Sequence, residues 1–484
     1  MVFSSHLFCF YFLPLALAVY YALPRRARHL GLTLLSYLFY GWANPPFVLI
    51  MLFSTAVDYV CGLVIARRGL LGREPIQALA QGGERHRSQR LAVVVSVCTN
   101  LALLGFFKYF NFSVDSYNGL VAWLGWGALA VETLLRVTLP LGISFYTFQS
   151  MSYTIDVYRG HCAALRNPID FACYVAMFPQ LVAGPIIRFS EVADQLRART
   201  HTLEKAARGL TLFALGMAKK ILLANPCGKI ADLAFGADAL HLLDAWYGVV
   251  AYAFQIYFDF SGYSDMAIGL GLMLGFVFPK NFDSPYRART ITEFWRRWHM
   301  SLSRWLRDYL YIPLGGNRRG QGRTYLHLAI VMLLGGLWHG AAWNFMIWGG
   351  IHGLLLMLER FRGGERAGEK LPDALRVPRT FLLVLVSWVF FRSDTLSEAI
   401  AYLGSMVGMA ATRPATALLS GILYQPYYLL TFAVAALVVW TAPQSWDWTR
   451  RLSWPKALGC LGLLWLALVA MEIQGYNPFI YFIF

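Results

Sequence analysis

Charge in this chain is confined to short, arginine-rich clusters separated by long, mostly apolar runs such as 6–23, 47–66, 91–110 and 324–358. Runs of this length suit helices that cross a hydrocarbon core of about 30 Å. Only 14% of the residues are charged and 58% are hydrophobic, whereas soluble domains carry about 25% charge. A soluble multidomain enzyme and a disordered scaffold are therefore excluded. The net charge of +16 would suggest nucleic acid in a soluble protein. Here the basic clusters sit between apolar runs, as the positive-inside rule expects of a membrane protein, so no nucleic-acid partner is expected. The seven cysteines are scattered without a C-x-x-C pair and read as small buried side chains, with no metal site.

The expected fold class is all-α. It is a polytopic helical membrane protein of about 11 spans with re-entrant and interfacial helices, embedded in lipid. Residues 1–484 are expected to form one integral-membrane domain. The run 6–23 lacks a basic n-region and reads as a retained first span. The cluster at 24–29 and the loop 67–90, with six Arg against two Glu, point to the cytoplasm, so the N-terminus is expected outside.

The largest polar island, 283–323, holds nine Arg and three acidic residues. Thr290 and Glu293 fit a capping box, so a helix should start there. On one continuous helix Trp295, Trp298, Leu302 and Trp305 share a side with His299, while Arg296, Arg297, Arg304 and Arg307 share the other. This predicts an amphipathic helix lying in the inner membrane surface. The next 35 residues, 324–358, are flanked by arginines on both sides. They predict a hairpin with two short arms of about 13–16 residues. Its apex, inside the bilayer, carries Trp338, His339 and Gly340, with Asn344 nearby. An ionisable residue at that depth is a functional candidate, and burial favours the neutral imidazole that a general base needs. A packed structural histidine is the competing reading.

A second cluster, Asp259-Phe-Ser261-Gly-Tyr263-Ser264-Asp265, lies late in a long apolar run. Its carboxylates need partners and could hold a substrate, a metal or arginine anchors. In a third, Pro179-Gln180-Leu-Val-Ala-Gly184-Pro185, a helix is broken inside apolar sequence, which survives in lipid only when packed or lining a cavity.

Together W-H-G (338–340), W-H-M-S-L-S (298–303), D-F-S-G-Y-S-D (259–265), N-F-D-S-P-Y-R (281–287) and P-Q-L-V-A-G-P-I (179–186) resemble the membrane-bound O-acyltransferase family. The likeness is to its bacterial polysaccharide branch, of the alginate O-acetyltransferase type, and covers essentially the whole chain. It implies helices around a central funnel or tunnel, with His339 matching the essential histidine and His299 a second motif position. Asp259, Ser261, Tyr263, Asp265, Trp338, Asn344 and Gln180 would line that tunnel. The implied reaction moves an acetyl group from a cytoplasmic thioester, acetyl-CoA or an acyl carrier, across the inner membrane. The acceptor is an exported polysaccharide, and no cofactor is bound.

Arg296, Arg297, Arg304 and Arg307 offer a basic patch for donor phosphates or for lipid headgroups. The aromatic tail 477–484 resembles a C-terminal motif of this branch. Tyr481 would act there as acyl relay, or simply belong to an interfacial aromatic belt. The implied external partner is an SGNH-like transferase. The alternatives are D-alanyl or other acyl transfer from a carrier protein, and a transporter or channel.

Overall fold

A computed structural model describes residues 1–69, 75–131, 136–364, 371–410 and 414–478. Among these residues every regular element is helical, as the apolar periods require once backbone groups must be satisfied without water. Among the described residues five helices are long and apolar enough to cross a membrane: Phe47–Arg67, Arg87–Trp123, Leu203–Phe235, Asp373–Arg392 and Trp454–Ile473. Leu7–Ala22 and Pro426–Thr441 are shorter and apolar. The expected count of about 11 does not follow from these helices. Several apolar runs form helices that are short or carry buried polar residues. Leu242–Met273 is the longest of the latter, with Asp259, Ser261 and Asp265 inside the protein.

The chain folds into two compact units, Met1–Thr202 with Leu274–Phe278, and Leu203–Met273 with Pro279–Phe484. In the first, Asp58 is buried on the Phe47–Arg67 helix. Its carboxylate accepts from Ser96 Oγ at 2.6 Å and Asn100 Nδ2 at 2.8 Å, so a polar group inside a span is satisfied by neighbouring donors. Gln180 is also buried in this unit, where its Nε2 donates to the Tyr174 carbonyl at 2.5 Å. It ties down the broken Pro179–Pro185 segment.

The second unit is built on Leu242–Met273, which is buried over most of its length. Leu203–Ala218 lies against it with backbones nearly touching. A Cβ added at Gly216 would sit 2.4 Å from the Gly262 carbonyl oxygen, and one at Gly209 2.6 Å from that of Gly269. Small residues permit this approach. The helix then passes through a π-helical stretch, Lys219–Ala224, into Asn225–Phe235.

The hairpin forms, with arms Gln321–His339 and Trp343–Phe361. Each arm has 19 residues, about 28 Å at 1.5 Å per residue. That corrects the expected short arms: the helices do not stop at the apolar boundary but continue through Gln321–Arg323 and Glu359–Phe361. The turn falls at residues 340–342, beside the expected Trp338–Ala341 apex. Asn344 Nδ2 donates to the Ser393 carbonyl at 2.6 Å, just past the end of the spanning helix Asp373–Arg392. The arms meet where a Cβ on Gly336 would lie 2.2 Å from the Phe345 carbonyl oxygen.

Candidate active site

A helix does start at Ile291, with Thr290 Oγ1 accepting from the Glu293 amide at 3.1 Å. It ends at Arg297, however, and a second seven-residue helix, Met300–Leu306, follows. Between them Trp298 is extended and His299 is left-handed, at φ 42° and ψ 55°. The expected single surface helix is therefore corrected to a broken one that turns into the protein. Its path is marked by the Trp343–Phe361 arm. The Thr292 amide donates to Glu359 at 3.1 Å, Trp295 Nε1 donates to His352 at 3.3 Å, and His299 reaches His339. The segment climbs from the arginine-flanked end of the hairpin toward its apex, because Trp295, Trp298 and His299 bury their rings in the unit's aromatic core.

The break has a chemical consequence. His299 is fully buried, and its Nδ1 accepts from the Leu302 amide at 3.2 Å. In the neutral ring the proton then belongs to Nε2, and that atom has no hydrogen-bond partner among the described residues. A buried orphan donor costs about 1–3 kcal/mol, and a non-glycine residue in this backbone region adds about 1–3 kcal/mol. Such costs cluster at functional sites.

His339 ends its arm and is 8% exposed. Its ring is 6.5 Å from that of His299 between centroids, at 84°. Trp338, Trp348 and Phe391 surround it at 5.1, 5.2 and 5.4 Å. Of the three histidines gathered here, His352 is structural. It accepts from Trp295 on Nδ1 and donates from Nε2 to Ser387 Oγ at 3.0 Å, which in turn donates to the Val384 carbonyl.

At the apex a cavity of 310 Å³ opens. Gly340, Ala341 and Asn344 form one wall, and Tyr252 and Gln255 another. Tyr476 and Pro478 of the C-terminal segment close it, two residues that the sequence did not single out. Tyr481 lies outside the described residues.

Asp259 pairs with Lys220 at 2.9 Å and Asp265 with Lys219 at 2.7 Å. Both carboxylates are thus engaged by lysines rather than by the arginines considered in the sequence. The signal was present, two lysines and two aspartates inside apolar runs, where intramembrane charges pair. Ser261 and Tyr263 are buried on the same helix, and Trp338 packs against both histidines.

The four arginines expected on one face are divided by the break. Arg296 and Arg297 line a polar depression of 440 Å³ with Arg289, Arg376 and Glu293. Arg304 instead donates to the Met300 and Lys280 carbonyls, and Arg307 pairs with Asp308 at 2.7 Å.

A sequence profile described as "MBOAT, membrane-bound O-acyltransferase family" matches residues 162–364, which contain both histidines. The chain is 42% identical, over the full length of both, to a Pseudomonas putida protein named "Probable alginate O-acetylase AlgI". It is 36% identical, over 84% of this chain and 80% of the relative, to the Helicobacter pylori "Peptidoglycan O-acetyltransferase". To the Streptococcus thermophilus "Teichoic acid D-alanyltransferase" it is 30% identical over 52% of this chain and 68% of that one. With its helices, its paired histidines and a full-length relative at this identity, the chain belongs to the membrane-bound O-acyltransferase family and is a multi-pass membrane acyltransferase.

Proposed function

We propose that the protein moves an acetyl group from a cytoplasmic thioester, acetyl-CoA in the first instance, across the bacterial inner membrane for O-acetylation of an exported polysaccharide. The observation that carries this reading is the approach of the His339 and His299 rings, 6.5 Å between centroids, at the end of the hairpin whose next residues, Gly340–Asn344, wall a cavity that neither ring lines. The full-length likeness to a protein named for alginate O-acetylation supports the acceptor class. The likeness to a D-alanyltransferase covers about half of the chain, which ranks carrier-bound D-alanine second.

His339 is the base. It takes the proton of the attacking hydroxyl as the acyl carbon–oxygen bond forms and the carbon–sulfur bond breaks, and the thiolate leaves and is protonated. His299, whose Nε2 carries a proton, is a donor rather than a base. Its role is to hold the negative oxygen of the tetrahedral intermediate. Tyr481 is the attacking hydroxyl in this scheme, and its aryl ester is reactive enough to pass the group on. Pro478, three residues before Tyr481 in the sequence, lines the apex cavity. Arg296 and Arg297, with Arg289 and Arg376, would receive donor phosphates. An external SGNH-like transferase completes transfer to the sugar.

The test is acetyl-CoA consumption by protein purified into nanodiscs. Wild type is expected to consume the thioester and His339→Ala to lose that activity. Equal consumption by both would remove His339 from the chemistry. Full activity of Tyr481→Phe would remove the relay.

A further inference from the structure

Lys220 and Asp259 form an ion pair at 2.9 Å with side chains only 3% and 2% exposed. Taking two charges out of water is rarely repaid by their attraction alone, so such a pair inside a membrane protein calls for a role. The Lys220 ammonium has a second partner, since its Nζ also donates to the carbonyl of Pro478. Neighbouring bonds act on the same short segment. Asn225 Nδ2 donates to the Tyr476 carbonyl at 3.1 Å, and the Tyr476 hydroxyl donates to Asp232. Asp232 is itself held by Arg392 at 2.8 Å. Residues 476–478 are thus fixed through backbone carbonyls and one phenol, and they form part of the cavity wall facing Gly340–Asn344.

We propose that the buried Lys220–Asp259 pair is a positioning device that docks the chain's own C-terminal segment at the hairpin apex. Asp259 orients the ammonium, the ammonium grips the Pro478 carbonyl, and Asn225 and Asp232 set the direction of the segment. The two lysines begin the π-helical stretch Lys219–Ala224. As consecutive residues they point in different directions and serve different aspartates, Lys219 on Asp265 and Lys220 on Asp259. Docking does not depend on the acyl relay, but its consequence for catalysis rests on that reading.

The experiment is carboxypeptidase Y trimming of the full chain in detergent, followed by intact mass. Wild-type trimming is expected to stall before residue 478. The Lys220→Met/Asp259→Leu double variant removes both charges together, leaving no lone buried ion. It should be trimmed past 476 at least tenfold faster while remaining monodisperse. An unchanged rate and endpoint overturns the proposal. If that variant does not fold, the milder Lys220→Gln/Asp259→Asn pair carries the test, and unchanged trimming in it overturns the proposal equally. Acyl transfer measured alongside separates the two ideas. A released tail with lost transfer supports both, whereas a released tail with full transfer keeps the docking and removes the relay.

Discussion

At the residue scale the roles proposed for the two histidines differ by tautomer. His299 spends Nδ1 on the Leu302 amide and so presents a donor, a function an amide side chain can also supply. His299→Asn is therefore expected to keep measurable acyl transfer. His299→Leu should lose about 10²–10³-fold in kcat, the cost of one oxyanion donor, and a steady-state thioester assay on both variants checks this. His339→Gln cannot take a proton and should fall at least as far. Equal loss in the Asn and Leu variants would show that His299 does more than donate. The motif residues W-H-M-S and W-H-G were legible in the sequence. The free Nε2 of His299 was not, because it follows from a left-handed backbone that ends one helix and caps the next with Nδ1.

At the element scale the hairpin depends on close contact of Gly336 with the Phe345 backbone and of Gly340 with the Phe345 ring. A Cβ at Gly340 would lie 2.0 Å from the Phe345 ring. Gly340→Ala should therefore displace the His339 loop and lower both thermal stability and activity, and Gly340→Ala/Phe345→Leu should recover part of each. If the double variant is no better than the single one, the clash is not the cause. Lys219→Met leaves Asp265 buried without its cation, and breaking such a pair costs about 3–5 kcal/mol. Lys219→Met/Asp265→Leu should regain most of that in a detergent melting series. The hairpin itself, its flanking arginines and the start of the Ile291–Arg297 helix could be read from the chain. Arm length and the dive of residues 291–299 could not. A helical wheel assumes one straight helix, and the aromatic core that draws Trp298 and His299 inward is made of residues far away in sequence.

At the scale of the whole molecule, arginines gather at one end of the hairpin and the cavity opens at the other. The positive-inside rule assigns the arginine end to the cytoplasm. Asn317 and Asp394 are exposed near opposite ends. In intact cells, and in a background lacking the exposed Cys98, a membrane-impermeant maleimide should label Asp394→Cys and not Asn317→Cys. The reverse pattern would invert the proposed direction of transfer. Sequence alone determined the membrane class, the all-helical architecture, the family and the two histidine motifs. These follow from hydropathy, period and local order, which are properties of contiguous residues. Only the tertiary structure decided which lysine answers which aspartate, that His299 is a donor, that the arginine patch is split, and that the C-terminal segment returns to the apex. Each of these depends on groups brought together from distant parts of the chain. In a low-dielectric interior a buried charge or donor is defined by the partner it meets there.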